Sequence, residues 1–507
     1  MSVFPEQSDF IKSYNAGKAQ VLWTTLVADL ETSVSAYLKL ARNEEYTSLL
    51  ESVEGGAIRG RYTFIGLKPD VVWRCTGEHA QINRKTLGGV SEEDFTDEEK
   101  PSLDSLRDLF DESLIDLPEN MPPSAAGLIG YMGYDMVRLM EKLPEAKENI
   151  LGTPDSIFMR PTIMIVFDSI TDLITIVTPV RPTDTVSAVT AYLRAEERLN
   201  DIISALSRPL EISRHNMDGT HHPAKPKSNT SKEQYADMVA RAQEYIKAGD
   251  IFQVVLSQRF SLPFELPPFT LYRALRRTNP SPFLFYLNMG DFSIVGSSPE
   301  ILVRLRDDEV TIRPIAGTRP RGKNATEDLQ NAKDLLADPK ECAEHLMLLD
   351  LGRNDVGRVS KVGTVELTEK MIIEYYSHVM HIVSNVRGEI REEYDALKAL
   401  SAGFPAGTVS GAPKVRAMEI IDELEIEKRG IYAGAVGYFS ADGSMDTCIT
   451  LRTAIVKDGM MYIQAGAGVV ADSTWQSEYA ECEAKARALV RAAEEAVHFA
   501  GSDKVIQ

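Results

Sequence analysis

Phe404-Pro-Ala-Gly-Thr-Val-Ser-Gly-Ala-Pro-Lys-Val-Arg-Ala-Met418 is the stretch on which the reading of this chain turns. Gly407 and Gly411 let the backbone turn tightly and approach a neighbour closely. Pro413 suits the first turn of a helix, where a missing N–H is no loss. Val415, Met418, Ile421 and Leu424 recur at helical spacing and predict that helix. The unit reads in two ways. It is either an ordinary loop-to-helix connection or a glycine loop feeding a helix N-terminus, whose free N–H groups favour an anion. No G-x-x-x-x-G-K-[ST] run is present, which excludes a nucleotide P-loop and leaves a small anion such as a carboxylate.

Around this stretch lie 507 residues, enough for two or three domains, with a hydrophobic content of 43% that fits a globular protein. The net charge of −20 argues against nucleic acid or an anionic membrane as partner. It does not forbid an anionic substrate, because a few local cations reverse the field. Cys75, Cys342, Cys448 and Cys482 are far apart and form no C-x-x-C pair, so buried thiols are expected, not disulfides or zinc ligands. No signal peptide and no membrane-length apolar run is evident, and the cytoplasm is the expected location.

Thr47–Val53 and Gly60–Gly66 read as strands flanking the Gly55-Gly56 turn. A helix is expected over 103–117 and a glycine-rich strand and turn over 127–135. Ile157–Pro179 reads as a hairpin broken at 168–172, and 186–206 as a helix. Between 207 and 229, prolines join His215, His221 and His222 in a solvated linker with no element to hold a metal. We therefore expect an N-terminal domain over 20–206 and a second domain over 230–500. Thr230-Ser-Lys-Glu233 matches a capping box opening the latter. Asp442-Gly443 and Asp458-Gly459 sit between alternating runs and predict an antiparallel meander, with Arg452 in mid-strand. An unpaired charge there is costly, and a substrate carboxylate held bidentately offsets it. Pro314–Gly322 reads as a tight turn carrying Gly317 and Thr318, with Arg319 and Arg321 beside it, either an anion site or a hairpin end. Glu341 and Glu344 share one helix face, and Glu478 and Glu481 repeat the device on the last helix. E-x-x-E is usually a solvated face, yet carboxylates paired on two helices also suit Mg²⁺. Of the histidines in Tyr375-Tyr-Ser-His-Val-Met-His381, His378 and His381 cannot both point one way in a strand.

The 404–418 stretch, with these motifs, closely resembles the signature of the chorismate-utilising enzymes, and among them the large-subunit family of anthranilate synthases. The resemblance implies an α+β fold of two mostly antiparallel β-sheets packed face to face with helices outside. It implies that chorismate and ammonia yield anthranilate and pyruvate. Glutamine amidotransferase partner subunits would supply the ammonia in a heterotetramer. It assigns His381, Glu300, Thr408 and Gln253 to catalysis, and Gly317, Thr318, Tyr432, Arg452, Gly466, Ala467, Gly468 and Lys485 to chorismate, with Lys414 shaping the floor. Mg²⁺ would lie on Glu344 and Glu481, with Glu341 and Glu478 behind them. Feedback-inhibiting L-tryptophan would lie between Ser52, Pro282, Phe283, Leu284, Val436 and Tyr438, with Arg59 or Arg61 as a basic partner. Aminodeoxychorismate synthases carry Lys where this chain has Ala316, and isochorismate-forming relatives carry Lys where it has Gln253. Both substitutions favour the anthranilate reading over these alternatives.

Overall fold

The computed structural model describes residues 2–501 apart from 43, 55–57, 87, 120, 211–224 and 377–378. The Gly55-Gly56 turn, the three histidines of the 207–229 segment and His378 thus lie outside the described residues, as does the Arg59 side chain.

Antiparallel strands form two leaves laid face to face. In the first, Gln253–Pro263 pairs with Met460–Val469, which pairs with Thr453–Lys457. Pairing continues through Phe292–Ser298 and Phe283–Asn288 to Thr47–Glu54 and Ile58–Thr76. The second leaf runs from Gly127–Met132 through Ala435–Ser440, Met445–Ile449, Ile301–Arg306 and Glu309–Ile312 to Val379–Glu389. Val379–Glu389 also pairs with Ile315–Pro320 and Glu366–Tyr375. The 13-residue strand Ser156–Asp168 joins the leaves: it pairs with Ile58–Thr76 and, at its start, with Gly127–Met132. One hydrogen-bonded sheet therefore folds over on itself. Across the gap Phe64 meets Tyr438 at 5.7 Å between ring centroids, and Tyr131 meets Phe292 at 6.2 Å. Pairing also crosses the 207–229 segment, since Leu284 opposes Glu51 and Ala435 opposes Met132.

The helices follow the expected periodicity, with local differences. The helix after the signature, Lys414–Leu424, buries Met418, Ile421 and Leu424, but Val415 faces solvent. Its N-cap is Pro413. The capping box sits one residue later than expected: Ser231 caps Lys232–Ala248, with Gln234 reaching back. Its hydroxyl can accept from the N–H three residues on only from that position. The long helix Trp475–Gly501 packs on Pro268–Thr278 and on Lys232–Ala248. Among the described residues no helix is long and apolar enough to cross a membrane.

The expected meander is not formed. Both D-G turns close hairpins, Ala435–Ser440 with Met445–Ile449 and Thr453–Lys457 with Met460–Val469. These hairpins belong to different leaves, because each central strand finds its other neighbour elsewhere: Met445–Ile449 on Ile301–Arg306, Thr453–Lys457 on Phe292–Ser298. The chain crosses between leaves at 450–452. Arg452 sits in that crossing, not in mid-strand, with φ of +48°. Similarly, Gly317 (φ +68°) forms a bulge in the strand Ile315–Pro320 and not a tight turn.

Gly130 lies where the leaves are joined, opposite both Phe158 and Gly437. A Cβ there would stand 2.0 Å from the Ile157 carbonyl oxygen, which cannot move without breaking the pairing. Gly130→Ala is expected to destabilise the chain by about 1–3 kcal/mol or more, as overpacking does. Gly357 ends the helix Pro339–Gly357 with open space around it, so Gly357→Ala is expected to be neutral or slightly stabilising. Thermal melting of the two variants checks the contrast, and equal melting temperatures contradict it.

Candidate functional site

The residues with chemistry to offer collect where the chain passes from one leaf to the other. Pro299 and Glu300 carry it out of Phe292–Ser298 into Ile301–Arg306, and Thr450–Arg452 carry it back. The two crossings are tied together. Ile449 N–H donates to the Glu300 carbonyl (3.1 Å) and Ser297 N–H to the Arg452 carbonyl (3.2 Å). Tyr432 lies in the turn preceding Ala435–Ser440, with its hydroxyl against the Gly466 amide.

Glu300 is buried, and burial pushes its carboxyl up to about 8 against the pull of Arg452 and Lys485. Its Oε1 accepts from Thr408 Oγ1 at 3.3 Å and from Ile315 N–H at 3.4 Å. With Oε1 accepting from both donors, the proton resides on Oε2. Held up at about 8, the group favours its protonated form at neutral pH. His381, which like Glu300 feels the charge of Arg452, is buried and pushed down to about 4 by that burial. Its Nδ1 lies 3.0 Å from the Gly317 carbonyl and 3.1 Å from Thr318 Oγ1. A carbonyl can only accept, so Nδ1 carries the hydrogen and Nε2 keeps a free lone pair. The site thus holds one acid and one base in opposite protonation states. The Tyr376 ring, not singled out in the sequence, packs edge-on against His381 at 5.4 Å.

Cationic and amide groups converge on the same place. Burial pushes the Arg452 guanidinium down, opposed by Tyr376 and Glu300, though an arginine stays charged. Gly466 and Gly468 lie on one face of Met460–Val469. Ala467 points to the opposite face and is fully buried in the core, so its side chain is not in the site. At Gly468 a Cβ would stand 2.2 Å from Gln253 Nε2, so that side chain would have to shift. The two glycines of the signature serve the same end: a Cβ at Gly411 would strike the Gln253 carbonyl at 2.2 Å, and one at Gly407 would strike Leu351 at 2.7 Å. Their close approach is to protein, and the signature acts as scaffold beneath the site. Lys414 is committed to Asp355 at 2.8 Å.

Glu344 and Glu481, one from each acidic helix, come within electrostatic reach of one another. Burial, then Glu341 and Glu481, push the Glu344 carboxyl up, while Gln253 Nε2, donating at 3.2 Å, and Lys485 oppose this. Glu478 is buried and likewise pushed up by burial and by Glu481. Lys485 pairs with Glu481 (2.7 Å) and donates to the Gly466 carbonyl (2.9 Å). Glu341 pairs with Arg319 at 3.0 Å. Among the described residues no group of three or more His, Cys, Asp or Glu side chains gathers closely enough to hold a metal. Glu344 and Glu481 nevertheless form a like-charged pair that a bound cation would relieve, and they suit an ion that takes further oxygens from water or substrate.

A separate cavity of about 420 Å³ opens between the leaves. Ser52, Phe283 and Leu284 line it from the first leaf, and Val436 and Tyr438 from the second, as expected. Among the described residues Pro282 is not one of those lining it. Arg61 is, but is bound to Asp168 at 2.9 Å. Arg304, Arg306 and Asp446 also line it and were not anticipated. Asp446 accepts from Arg304 at 2.9 Å through Oδ2, while its buried Oδ1 has no partner. The signal was present: Arg304 and Arg306, two apart in a strand, share a face, though their partner across the pairing could not be read.

The chain matches the family described as chorismate binding enzyme over residues 68–491. It is 56% identical to anthranilate synthase component 1 of Cereibacter sphaeroides, over 97% of this chain and 98% of that one. It is 48% identical to anthranilate synthase component 1 of Neisseria gonorrhoeae, over 92% and 94%. Among solved structures, anthranilate synthase component I from Streptococcus pneumoniae superposes with a TM-score of 0.74 at 36% identity, covering 92% of this chain and 99% of that one. The menaquinone-specific isochorismate synthase of Escherichia coli shares the fold, with a TM-score of 0.68 at 17% identity, over 96% and 98%.

The state of Glu300 sets a pH dependence of stability. Its folded value of about 8 lies above the ordinary 4.5, so between these pH values the folded chain binds a proton that the unfolded chain has lost. Its contribution is complete below about 4.5 and disappears as pH rises through about 8. Glu300→Gln removes this dependence. The variant's melting temperature is therefore expected to gain on the parent's steadily from pH 5 to pH 8.5, and parallel curves contradict the assignment.

Proposed function

Because the chain belongs to the chorismate-binding enzymes, and within them to the anthranilate synthase component 1 family, it is an enzyme acting on chorismate; we propose that it adds ammonia at C2 to form anthranilate and pyruvate. A protonated Glu300 and a neutral His381, both within reach of Arg452, carry this reading, for the reaction needs one acid and one base.

In this reading Arg452, Tyr432 and the Gly466 and Gly468 amides hold the enolpyruvyl carboxylate. The ring carboxylate faces Glu344 and Glu481, where bound Mg²⁺ would supply the positive charge it needs. Ammonia forms a bond to C2 as the ring double bonds shift and the C4–O bond breaks. Glu300 Oε2 gives its proton to that oxygen, which leaves as water, and the ammonium formed at C2 gives up one proton, which restores the Glu300 carboxyl. His381 Nε2 then removes the C2 proton, the ring becomes aromatic, and the enolpyruvyl group leaves as pyruvate, taking a proton at its methylene carbon. No lysine stands at 253 or 316 to activate water or to attack the ring.

Three of the four cysteines are buried, and burial pushes the Cys75 and Cys482 thiols up to about 11 and Cys448 higher. Such thiols are poor nucleophiles for glutamine hydrolysis. In this reading ammonia comes from a glutamine-hydrolysing partner, the second component of a cytoplasmic heterotetramer. The 420 Å³ cavity is suited to L-tryptophan as inhibitor. Phe64, Phe283 and Tyr438 offer aromatic walls and Arg306 a cation.

The purified chain given chorismate, Mg²⁺ and an ammonium salt is expected to release a fluorescent aromatic amine and pyruvate in equal amounts. Glutamine in place of ammonium is expected to give none. Turnover on glutamine alone would show that no partner is needed, and a hydroxylated product would move the chain to the isochorismate-forming class. A second expectation concerns the acidic helices. Glu481→Gln replaces a charged ligand oxygen with a weak neutral one, so remaining activity is expected to require more Mg²⁺ while the metal-free melting temperature hardly drops. A Mg²⁺ titration like the parent's, with near-parent activity, misplaces the metal.

A further inference from the structure

The cavity and the chorismate site share their structural members. Phe283 and Leu284 line the cavity and pair with Ser298 and Ser297, which lead directly into Glu300. On the opposite leaf Cys448 lines the cavity, and the next residue, Ile449, donates its N–H to the Glu300 carbonyl at 3.1 Å. Arg452 follows three residues later. Between these strand ends lies the Ser298 hydroxyl, fully buried. Ser298 Oγ donates to the Ile449 carbonyl at 2.6 Å and accepts from Glu300 N–H at 3.5 Å. Ser298 ends a strand of the first leaf and Ile449 ends a strand of the second, so this hydrogen bond bridges the leaves at the boundary between cavity and acid.

We propose that Ser298 is the positioning residue through which occupancy of the cavity and the placement of Glu300 affect each other, an inference that rests on the reading of the cavity as a tryptophan site. An occupant sits between Phe283 and Leu284 on one leaf and Val436 and Cys448 on the other, and so acts on the spacing of the leaves. The Ser298–Ile449 bond converts that spacing into the position of the Ser298-Pro299-Glu300 corner. The same corner carries the Ser297–Arg452 bond, so acid and carboxylate-binding arginine move together. Coupling of this kind is reciprocal: whatever tryptophan does to chorismate affinity, chorismate does to tryptophan affinity by the same factor. The Ser440 hydroxyl makes no such bridge. Ser440, at the far end of Ala435–Ser440, is fully buried with its hydroxyl unpartnered.

The test is equilibrium dialysis of labelled L-tryptophan against the full chain with Mg²⁺, with and without chorismate, in the absence of ammonia and glutamine. Chorismate is expected to raise the parent's tryptophan Kd by a factor of about 5–150, the usual range of coupling between sites. In Ser298→Ala the Kd for tryptophan alone is expected to stay within about threefold of the parent, while the factor falls towards one. Ser298→Cys keeps the volume with a weaker donor and is expected to give an intermediate factor. It also serves as the test if the alanine variant does not fold. Ser440→Ala, which removes a buried hydroxyl without a partner, is expected to keep the parent's factor. A parent factor retained in the Ser298 variants overturns this inference alone, as does a parent that binds tryptophan without any effect of chorismate. A parent that binds no tryptophan overturns the reading of the cavity and this inference with it.

Discussion

One buried ion pair holds the catalytic half of the chain in register. Arg429 and Glu425 meet at 2.6 Å, both almost completely out of solvent. The guanidinium donates further to the carbonyls of Val409, in the signature, and Val255, in the strand Gln253–Pro263. Glu425 completes the exchange by accepting from the Ser257 amide and hydroxyl. The guanidinium also lies over the rings of Tyr134, from the N-terminal half, and Tyr432, from the chorismate site. A charge buried so deeply is tolerable only with its hydrogen bonds filled, and removing one partner of such a pair typically costs about 3–5 kcal/mol. Satisfying it forces the signature, the edge strand, the turn carrying Tyr432 and the N-terminal half into one arrangement.

From that arrangement the chemistry follows by exclusion of water. Glu300 and Arg452 lie in crossings between leaves, where backbone leaves the sheet and side chains can face a common space without belonging to either core. Burial there favours the neutral form of any titratable group, which makes Glu300 an acid and His381 a base near neutral pH. The two acidic helices present the opposite case. Glu344 and Glu481 raise one another's charge cost beside Lys485, and a hard cation would relieve it.

The sequence showed elements better than partners. The helices bearing Glu344 and Glu481, the long helix after Ser231 and both D-G hairpins were legible, because capping, periodicity and turn chemistry act over a few residues. Which strand lies beside which depends on pairings across hundreds of residues, so two adjacent hairpins looked like one meander, and Arg452 was expected inside a strand it only connects. Gly317 was misread for the same reason, since a bulge exists only relative to its partner strand. In the cavity, Ser52, Phe283 and Tyr438 were reached through the resemblance to a known family. Asp446, Arg304 and Ser298 matter through contacts made across the leaves. Arg429 escaped notice because an isolated arginine after a helix carries no local mark of burial.

Under the proposed function a single folded sheet serves three ligands in two places: chorismate with a metal between the crossings and the acidic helices, and an amino acid in the gap between the leaves. The most direct measurement is X-ray diffraction from crystals grown with Mn²⁺ and L-tryptophan, with anomalous scattering to locate the metal. The account predicts a manganese peak between Glu344 and Glu481, and indole density between Ser52, Phe283 and Tyr438. Manganese bound elsewhere, or tryptophan lying against Arg452 and Glu300, would contradict it.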